Sequence, residues 1–195
     1  MRKIKEEIRI LGIDDCPFDK KKDKRVLVVG VIFRGGKFLD GVLSTKVKVD
    51  GLDATDKLIK MVNSSHHKPQ LKVIMLDGIT LGGFNLIDIK LVHKKTGLPV
   101  IVINRKKPNL EKVKKALSFF EDFEKRWKIV KIAGKIKRFI SKKGKVLYYQ
   151  AIGIEDEKAM EIINLSIERS DIPEPLRVAH LIATGIKLGE SRGHA

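Results

Sequence analysis

The sequence contains only one cysteine, Cys16, among 195 residues. A single cysteine excludes an intrachain disulfide and a cysteine-rich zinc site. Long apolar runs are also missing, because no stretch approaches the roughly 20 residues needed to span a bilayer. Residues 1–7 are charged and lack the apolar core of a secretion signal. We therefore expect a soluble, cytoplasmic protein without a membrane partner.

The familiar nucleotide and hydrolase signatures are absent as well. The chain has no phosphate-binding Walker loop, no dinucleotide glycine fingerprint and no nucleophile elbow. Acidic residues are in the minority, with 24 Asp and Glu against 41 Lys and Arg, which gives a net charge of +17. Such an excess favours DNA or RNA as the partner and binding that weakens with salt. The alternative is the general lysine enrichment seen in hyperthermophile proteins, in which case the domain would bind small molecules or proteins.

The order of predicted elements indicates one α/β domain over residues 1–195. Three β-rich segments near the start predict an antiparallel meander: residues 8–13, 26–33 and 38–49. Two later strands alternate with helices, so we expect them to be parallel: strands 73–76 and 100–103, helices 52–62, 85–95 and 110–120.

The rest of the chain predicts a hairpin, two helices and a tail. The hairpin strands are residues 136–140 and 146–151, and the helices are residues 155–168 and 174–186. The pattern around residues 128–132 fits no single element. Residues 187–195 lack a core pattern and are predicted to form a flexible tail.

Two aspartates stand at predicted strand ends. Asp14 follows the first strand, where it either forms an Asx turn or holds a metal ion at a rigid position. Asp77 ends the strand 73–76 and precedes Gly78, a residue that lets a phosphate backbone approach closely or simply makes the loop flexible. Because the strand 73–76 is predicted to be buried on both faces, its carboxyl end is a favourable place for a site.

Other candidates have competing structural explanations. Asp56 falls in the first turn of a predicted helix, where a carboxylate stabilises the positive end of the dipole. His180 borders the apolar face of the last predicted helix, as a structural histidine would. The run Arg105-Lys106-Lys107 either contacts phosphate or is a solvated charge run. Oxygen ligands from distant parts of a chain suit Mg²⁺ or Mn²⁺.

Four segments in order make the chain resemble an uncharacterised, mainly archaeal family related to endonuclease V, within the RNase H-like superfamily. The matches run from about residue 8 to residue 186, and the proline-rich start of the last helix is the most specific. The four segments are Leu11-Gly12-Ile13-Asp14, the Asp77-Gly78 block with the elements up to Ile101, residues 152–163, and Ile172-Pro173-Glu174-Pro175-Leu176-Arg177-Val178-Ala179-His180.

The resemblance implies an RNase H-like α/β fold: a mixed sheet of antiparallel meander and parallel strands, flanked by helices. It also implies a catalytic Mg²⁺ or Mn²⁺ site. In that site Asp14 and Asp77 would be ligands, Asp56 would complete the carboxylate set, and His180 would be the fourth member.

The resemblance further implies contacts to nucleic acid. The family's lysine after the central strand corresponds to Arg105 or Lys106, and the run that includes Lys107 would neutralise phosphates. The implied reaction is metal-dependent hydrolysis of phosphodiester bonds in DNA or RNA.

One departure limits the resemblance. Endonuclease V has a Tyr- and Pro-containing wedge that opens the strand at a deaminated base. The corresponding residues 45–50 read Thr-Lys-Val-Lys-Val-Asp, with neither an aromatic residue nor a proline. The resemblance therefore does not extend to recognition of deaminated bases, and the alternative function is non-catalytic nucleic-acid binding on the same fold.

Overall fold

The structure, a computed structural model, describes residues 4–191. Nine strands lie in that part of the chain: β1 (Arg9–Asp15), β2 (Arg25–Arg34), β3 (Phe38–Lys48), β4 (Val73–Asp77), β5 (Thr80–Leu81), β6 (Asn85–Leu86), β7 (Val100–Asn104), β8 (Lys137–Ile140) and β9 (Val146–Ile152). Seven of them form one sheet in the order β3-β2-β1-β4-β7-β9-β8, and β5 pairs with β6 in a separate ribbon.

The same residues contain six α-helices and a short 3-10 helix at Lys68–Gln70. The α-helices are α1 (Ala54–Asn63), α2 (Ile89–Thr96), α3 (Leu110–Leu117), α4 (Phe123–Ile132), α5 (Asp156–Ser166) and α6 (Glu174–Leu188). Of the segments described, none is a helix both long and apolar enough to cross a membrane.

The sheet is mixed, as predicted. Strands β1, β2 and β3 form the antiparallel meander. Strand β4 lies parallel to both β1 and β7, and β9 returns antiparallel to β7 before pairing with β8. The three parallel strands are therefore neighbours in the middle of the sheet, and their carboxyl ends share one edge.

Alternating side chains of the central strands pack on opposite faces of the sheet. On one face, Leu11 and Ile74 belong to a core that includes Leu58 of α1. On the other face, Ile10 and Met75 belong to a core that is completed by residues of α5 and the start of α6: Ala159, Ile162, Ile163 and Leu176. Burial on both faces explains why these strands read as continuous apolar runs.

The start of one helix differs from the prediction, and one ambiguous segment is resolved. The helix predicted over residues 85–95 begins only at Ile89, because the Asp88 side chain accepts a hydrogen bond from Leu91 N and starts the helix there. Asn85 instead lies in β6, where its side-chain oxygen accepts from Ala54 N and so caps α1. Helix α4 occupies the segment for which the sequence pattern was ambiguous.

The predicted tail of residues 187–195 overlaps the end of α6. The helix continues to Leu188 and ends at Gly189, which has a φ of 81°. The part of the predicted tail at residues 192–195 lies outside the described residues.

Candidate functional site

Asp14 and Asp77 lie side by side at the carboxyl ends of two parallel strands. In the ladder between β1 and β4, Ile13 pairs with Leu76, so the next residue on each strand is the aspartate. Neighbouring strands are about 4.8 Å apart, which puts both carboxylates at one sheet edge. Asp77 in turn pairs with Ile103 of β7, and Asn104 ends that strand beside it.

Helix α6 brings His180 to the same edge. His180 Nδ1 lies 2.9 Å from Asp14 Oδ2 and donates a hydrogen bond to that carboxylate, across a separation of 166 residues in the chain. The helix reaches β1 because Gly12 has no side chain: a Cβ there would lie 2.5 Å from the backbone of Pro175. The glycine of the first-strand segment is therefore needed for the approach of α6.

The proline-rich start of α6 is held by a buried carboxylate. Glu174 Oε1 accepts hydrogen bonds from Arg169 N at 2.8 Å and Ser170 N at 3.4 Å. Its Oε2 accepts from Arg177 Nε at 2.8 Å and Nη2 at 2.6 Å. Because Glu174 is only 3% exposed, these bonds compensate its burial and fix the entry of the helix that carries His180.

Arg105 approaches the carboxylates from the end of β7. Its Nη2 lies 3.2 Å from Asp77 Oδ2 and donates a hydrogen bond to it. Lys106 also faces this region, whereas Lys107 is exposed and outside it. The residues enclose a cleft of about 780 Å³ that is lined by Asp14, Asp15, Cys16, Pro17, Phe18, Asp77, Thr80, Asn104, Arg105, Lys106 and His180.

Asp56 is not brought to the cleft. It is exposed in the first turn of α1 and does not line the cavity. Its neighbours make the contacts instead: Asp53 Oδ1 accepts from Lys48 N, and Thr55 Oγ1 accepts from Asp88 N. The structure thus does not bring the carboxylates of Asp14, Asp56 and Asp77 together as one set. Asp56 lies instead in the first turn of α1, where the helix dipole stabilises its negative charge.

Asp15, directly after Asp14, also lines the cleft. Alternation along a strand predicts that only one of two adjacent aspartates faces a given side, but the loop after β5 folds over the end of β1. Asp15 Oδ2 accepts a hydrogen bond from Gly82 N at 2.8 Å. Burial, together with the charges of Asp14 and Asp77, raises the pKa of Asp15 to about 6. The adjacent acidic pair was the only sequence signal for it.

The surroundings of Asp77 disfavour the ionised form of its carboxyl group. Its pKa is raised, first by burial and then by the charge of Asp14, while Arg105 and His180 act in the opposite direction. Cys16 is buried directly after the end of β1. Its thiol donates to Ala183 O at 3.0 Å, and burial raises its pKa to about 11.

The residues present fit a divalent cation held by two carboxylates. Asp14 and Asp77 supply hard oxygen donors at one edge of the sheet. A cation between them would relieve the repulsion between the two carboxylates. Over residues 4–191, no three His, Cys, Asp or Glu side chains are grouped in a geometry that would hold a metal ion. Two carboxylates can hold a divalent cation when water and phosphate oxygens complete its shell.

Comparison with solved structures identifies the fold class. Endonuclease V of Ciona intestinalis, solved with a 24mer DNA that contains an inosine followed by a ribo-adenosine, has a TM-score of 0.57 at 16% identity. The similarity covers 88% of this chain and 82% of that chain. The predicted RNase H-like fold of the endonuclease V type is confirmed.

Closer relatives identify the family. The family model Endonuclease dU matches residues 6–187, and the chain belongs to that family. A UPF0215 protein of Methanothermobacter thermautotrophicus is 56% identical over 195 residues, covering 100% of this chain and 95% of that protein. The crystal structure of an Archaeoglobus fulgidus protein of unknown function has a TM-score of 0.83 and 44% identity, covering 92% of this chain and 98% of that chain.

Proposed function

We propose that the protein is a metal-dependent endonuclease that hydrolyses phosphodiester bonds in nucleic acid. The observation that carries this proposal is the juxtaposition of Asp14 and Asp77 at one sheet edge, with His180 bonded to Asp14 and Arg105 bonded to Asp77. DNA that contains deoxyuridine is the first substrate to test, because dU is named in the description of the matching family.

The ion itself supplies simple chemistry. Bound at Asp14 and Asp77, Mg²⁺ or Mn²⁺ would lower the pKa of water and neutralise charge that develops on a phosphoryl oxygen. The protein contributes the positions of the two carboxylates, which are fixed by strands rather than by loops and therefore require little reorganisation.

The surrounding side chains have distinct tasks. His180 holds Asp14 Oδ2 through its Nδ1–H, which keeps that carboxylate oriented toward the cleft. Arg105 does the same for Asp77 and presents a planar guanidinium where a phosphate would enter. Lys106 adds a second cation to the cleft wall, so a polyanionic strand is drawn toward the carboxylate pair.

The first prediction concerns the carboxylate pair. Asp14→Asn and Asp77→Asn should each reduce Mn²⁺- or Mg²⁺-dependent cleavage by at least about a hundredfold, because each removes one anionic ligand. The measurement is cleavage of a labelled panel of single- and double-stranded DNA and RNA, with and without deoxyuridine or inosine, in the presence of each metal and of EDTA.

Asp56→Asn is the matched control, since it makes the same chemical change at an exposed aspartate outside the cleft. It should cleave as the wild type does. Equal loss at Asp56 would show that α1 contributes to the reaction after all. No cleavage of any substrate by the wild type with either metal would reject the nuclease proposal.

One observation favours a second candidate, non-catalytic nucleic-acid binding. Asp14, Asp15 and Asp77 line the cleft at strand ends together with His180 of α6, whereas the acidic residue of α1, Asp56, is not among the lining residues. A protein of this kind would bind nucleic acid equally well with EDTA and with Asp77→Asn, and it would cut nothing.

A further inference from the structure

A helical hairpin beside the cleft ends in an exposed aromatic ring. The hairpin consists of α3, α4 and the loop between them, residues 110–132. Phe119 in that loop is 82% exposed, the largest exposed fraction among the large apolar side chains of residues 4–191. Phe123 and Trp127 follow on α4 at helical spacing, half-buried, with their rings nearly parallel and 6.5 Å apart. The hairpin therefore presents flat apolar rings to solvent.

Positive charge surrounds these rings. Residues 105–135 contain eleven Lys or Arg and four Asp or Glu. Lys114 Nζ lies 5.7 Å from the centre of the Trp127 ring. Both helices carry exposed lysines: Lys112, Lys114, Lys115, Lys125, Lys128 and Lys131. A neutral or basic protein surface could cover the rings, but it would leave the lysine charges repelled or uncompensated. A polyanion with aromatic bases would both contact the rings and neutralise the lysines.

The hairpin is rigidly attached despite its exposure. Arg126 is 4% exposed, and its guanidinium donates to the backbone oxygens of Asp50, Gly51 and Phe84 at 2.8, 3.1 and 2.7 Å. It also bonds to Asp122 on the preceding turn. A clamp of this kind fixes α4, so the loop that carries Phe119 is presented in a defined orientation.

Aromatic contacts connect the hairpin to the cleft wall. The ring of Phe120, next to Phe119, lies 5.7 Å from the ring of Phe84. Gly83 precedes Phe84, and a Cβ on Gly83 would lie 3.5 Å from the ring of Phe18, which lines the cleft. The hairpin is thus joined to the cleft wall through packed aromatic side chains.

We propose that Phe119 is a base-stacking residue, and that the hairpin binds an unpaired stretch of the nucleic-acid strand next to the cleft. The exposed lysines hold the phosphates, and the phenyl ring stacks on a base without selecting its identity, because every base has a π-face. This inference rests on the nucleic-acid binding in the proposed function, but not on cleavage.

Binding of a fluorescent short oligothymidylate to the full chain in EDTA tests the proposal. Phe119→Ala should weaken binding by about ten- to a hundredfold, the range expected for loss of one aromatic stacking contact. Phe119→Tyr should retain the affinity, and Phe119→Leu should not, because leucine is apolar but has no flat ring. The salt dependence should be unchanged in all three, since no phosphate contact is removed.

Phe38→Ala is the matched control. Phe38 is also exposed, at 50%, but it starts β3, opposite Arg34 and the amino-terminal end of β1, away from the carboxyl ends of the parallel strands. The Phe38→Ala variant should bind as the wild type does. Equal affinity of Phe119→Ala and Phe38→Ala would overturn the proposal, as would full affinity of Phe119→Leu. Self-association lost in Phe119→Ala, with oligothymidylate binding intact, would identify the ring as a contact between copies instead.

The outcomes separate this inference from the nuclease proposal. Phe119-dependent binding without cleavage by the wild type would support base stacking and reject the nuclease. Cleavage with Phe119-independent binding would do the opposite. Because Phe119 is exposed, far-ultraviolet circular dichroism should confirm that each variant is folded.

Discussion

At the residue scale, the negative charge of Asp77 is in an electrostatically unfavourable position. Asp77 is partly buried beside Asp14, and both effects raise its pKa even though Arg105 donates a hydrogen bond to it. A carboxyl whose pKa is higher in the folded than in the unfolded chain favours folding below its ordinary pKa. That contribution is lost as the pH rises through the raised value. At neutral pH the charge of Asp77 beside Asp14 therefore lowers the free energy of unfolding. A site that binds a cation is expected to have such an arrangement.

Asp77→Asn should consequently raise the melting temperature at neutral pH in EDTA, because it removes the buried charge and keeps the side-chain shape. For a chain of this length, each kcal/mol gained corresponds to roughly 2–4 °C. Millimolar Mg²⁺ should stabilise the wild type by mass action and leave Asp77→Asn unchanged. Differential scanning fluorimetry of both proteins, with and without the metal, makes the measurement.

Asp56→Asn serves again as the control, since an exposed change of this kind alters stability by no more than about 0.5 kcal/mol. A lower melting temperature of Asp77→Asn in EDTA would contradict the electrostatic interpretation. An equal response of both variants to Mg²⁺ would place the ion elsewhere.

At the element scale, the contact between β1 and α6 decides whether the site forms. Gly12 allows the helix to reach the strand, and the Glu174 bonds fix the turn that leads into it. His180 follows one and a half helical turns later and reaches Asp14. The most specific motif of the sequence therefore has a structural role, because it orients the helix from which His180 reaches Asp14.

Gly12→Ala should destabilise the fold by about 3 kcal/mol or more, since the added Cβ would meet Pro175 backbone atoms at 2.5 Å. Urea unfolding followed by circular dichroism gives the free energy of unfolding. Cleavage by the folded fraction should also fall, because a displaced α6 moves His180 away from Asp14.

Gly97→Ala provides the comparison. Gly97 has a φ of 73° and open space around its position. Alanine there would clash with no neighbour and would cost only the strain of the left-handed backbone, about 1–2 kcal/mol. If Gly12→Ala were no more destabilising than Gly97→Ala, the close approach of α6 would not be the reason for the glycine.

At the scale of the whole molecule, the charge distribution is uneven. The net charge is +17, and residues 105–135 hold a marked local excess of lysine and arginine next to the cleft. Charges clustered near a site steer a polyanion toward it, whereas a general lysine enrichment would not favour any one segment. The molecule as a whole is therefore suited to hold a strand along the cleft and the hairpin.

Affinity for nucleic acid should fall steeply with salt. If about six phosphates are neutralised on a duplex, the association constant drops roughly a thousandfold between about 50 and 200 mM salt. Titrations of a labelled duplex at several salt concentrations, with EDTA present, measure the slope. A flat salt dependence would mean that the basic surface has no nucleic-acid partner, and a steep slope without metal-dependent cleavage would support the non-catalytic candidate.

Local patterns predicted the sheet and most helices, and Asp14, Asp77 and His180 were expected near one another, as the structure places them. Strand ends are local features, so Asp14 and Asp77 could be placed at rigid positions, and the ordered motifs linked them to His180. Asn85 and Asp15 escaped prediction because their roles depend on partners far away, Ala54 and Gly82, which local patterns do not reveal.

Which acidic residues share the cleft depends on long-range packing. Parallel register sets Asp14 beside Asp77, while the packing of α1 leaves Asp56 in solvent, and neither fact follows from spacing along the chain. The same holds for the 82% exposure of Phe119 in the loop between α3 and α4, which no local pattern predicts. Composition and periodicity specify whether each segment forms a helix or a strand. They do not specify which side chains meet, because those contacts join residues that are far apart in the chain.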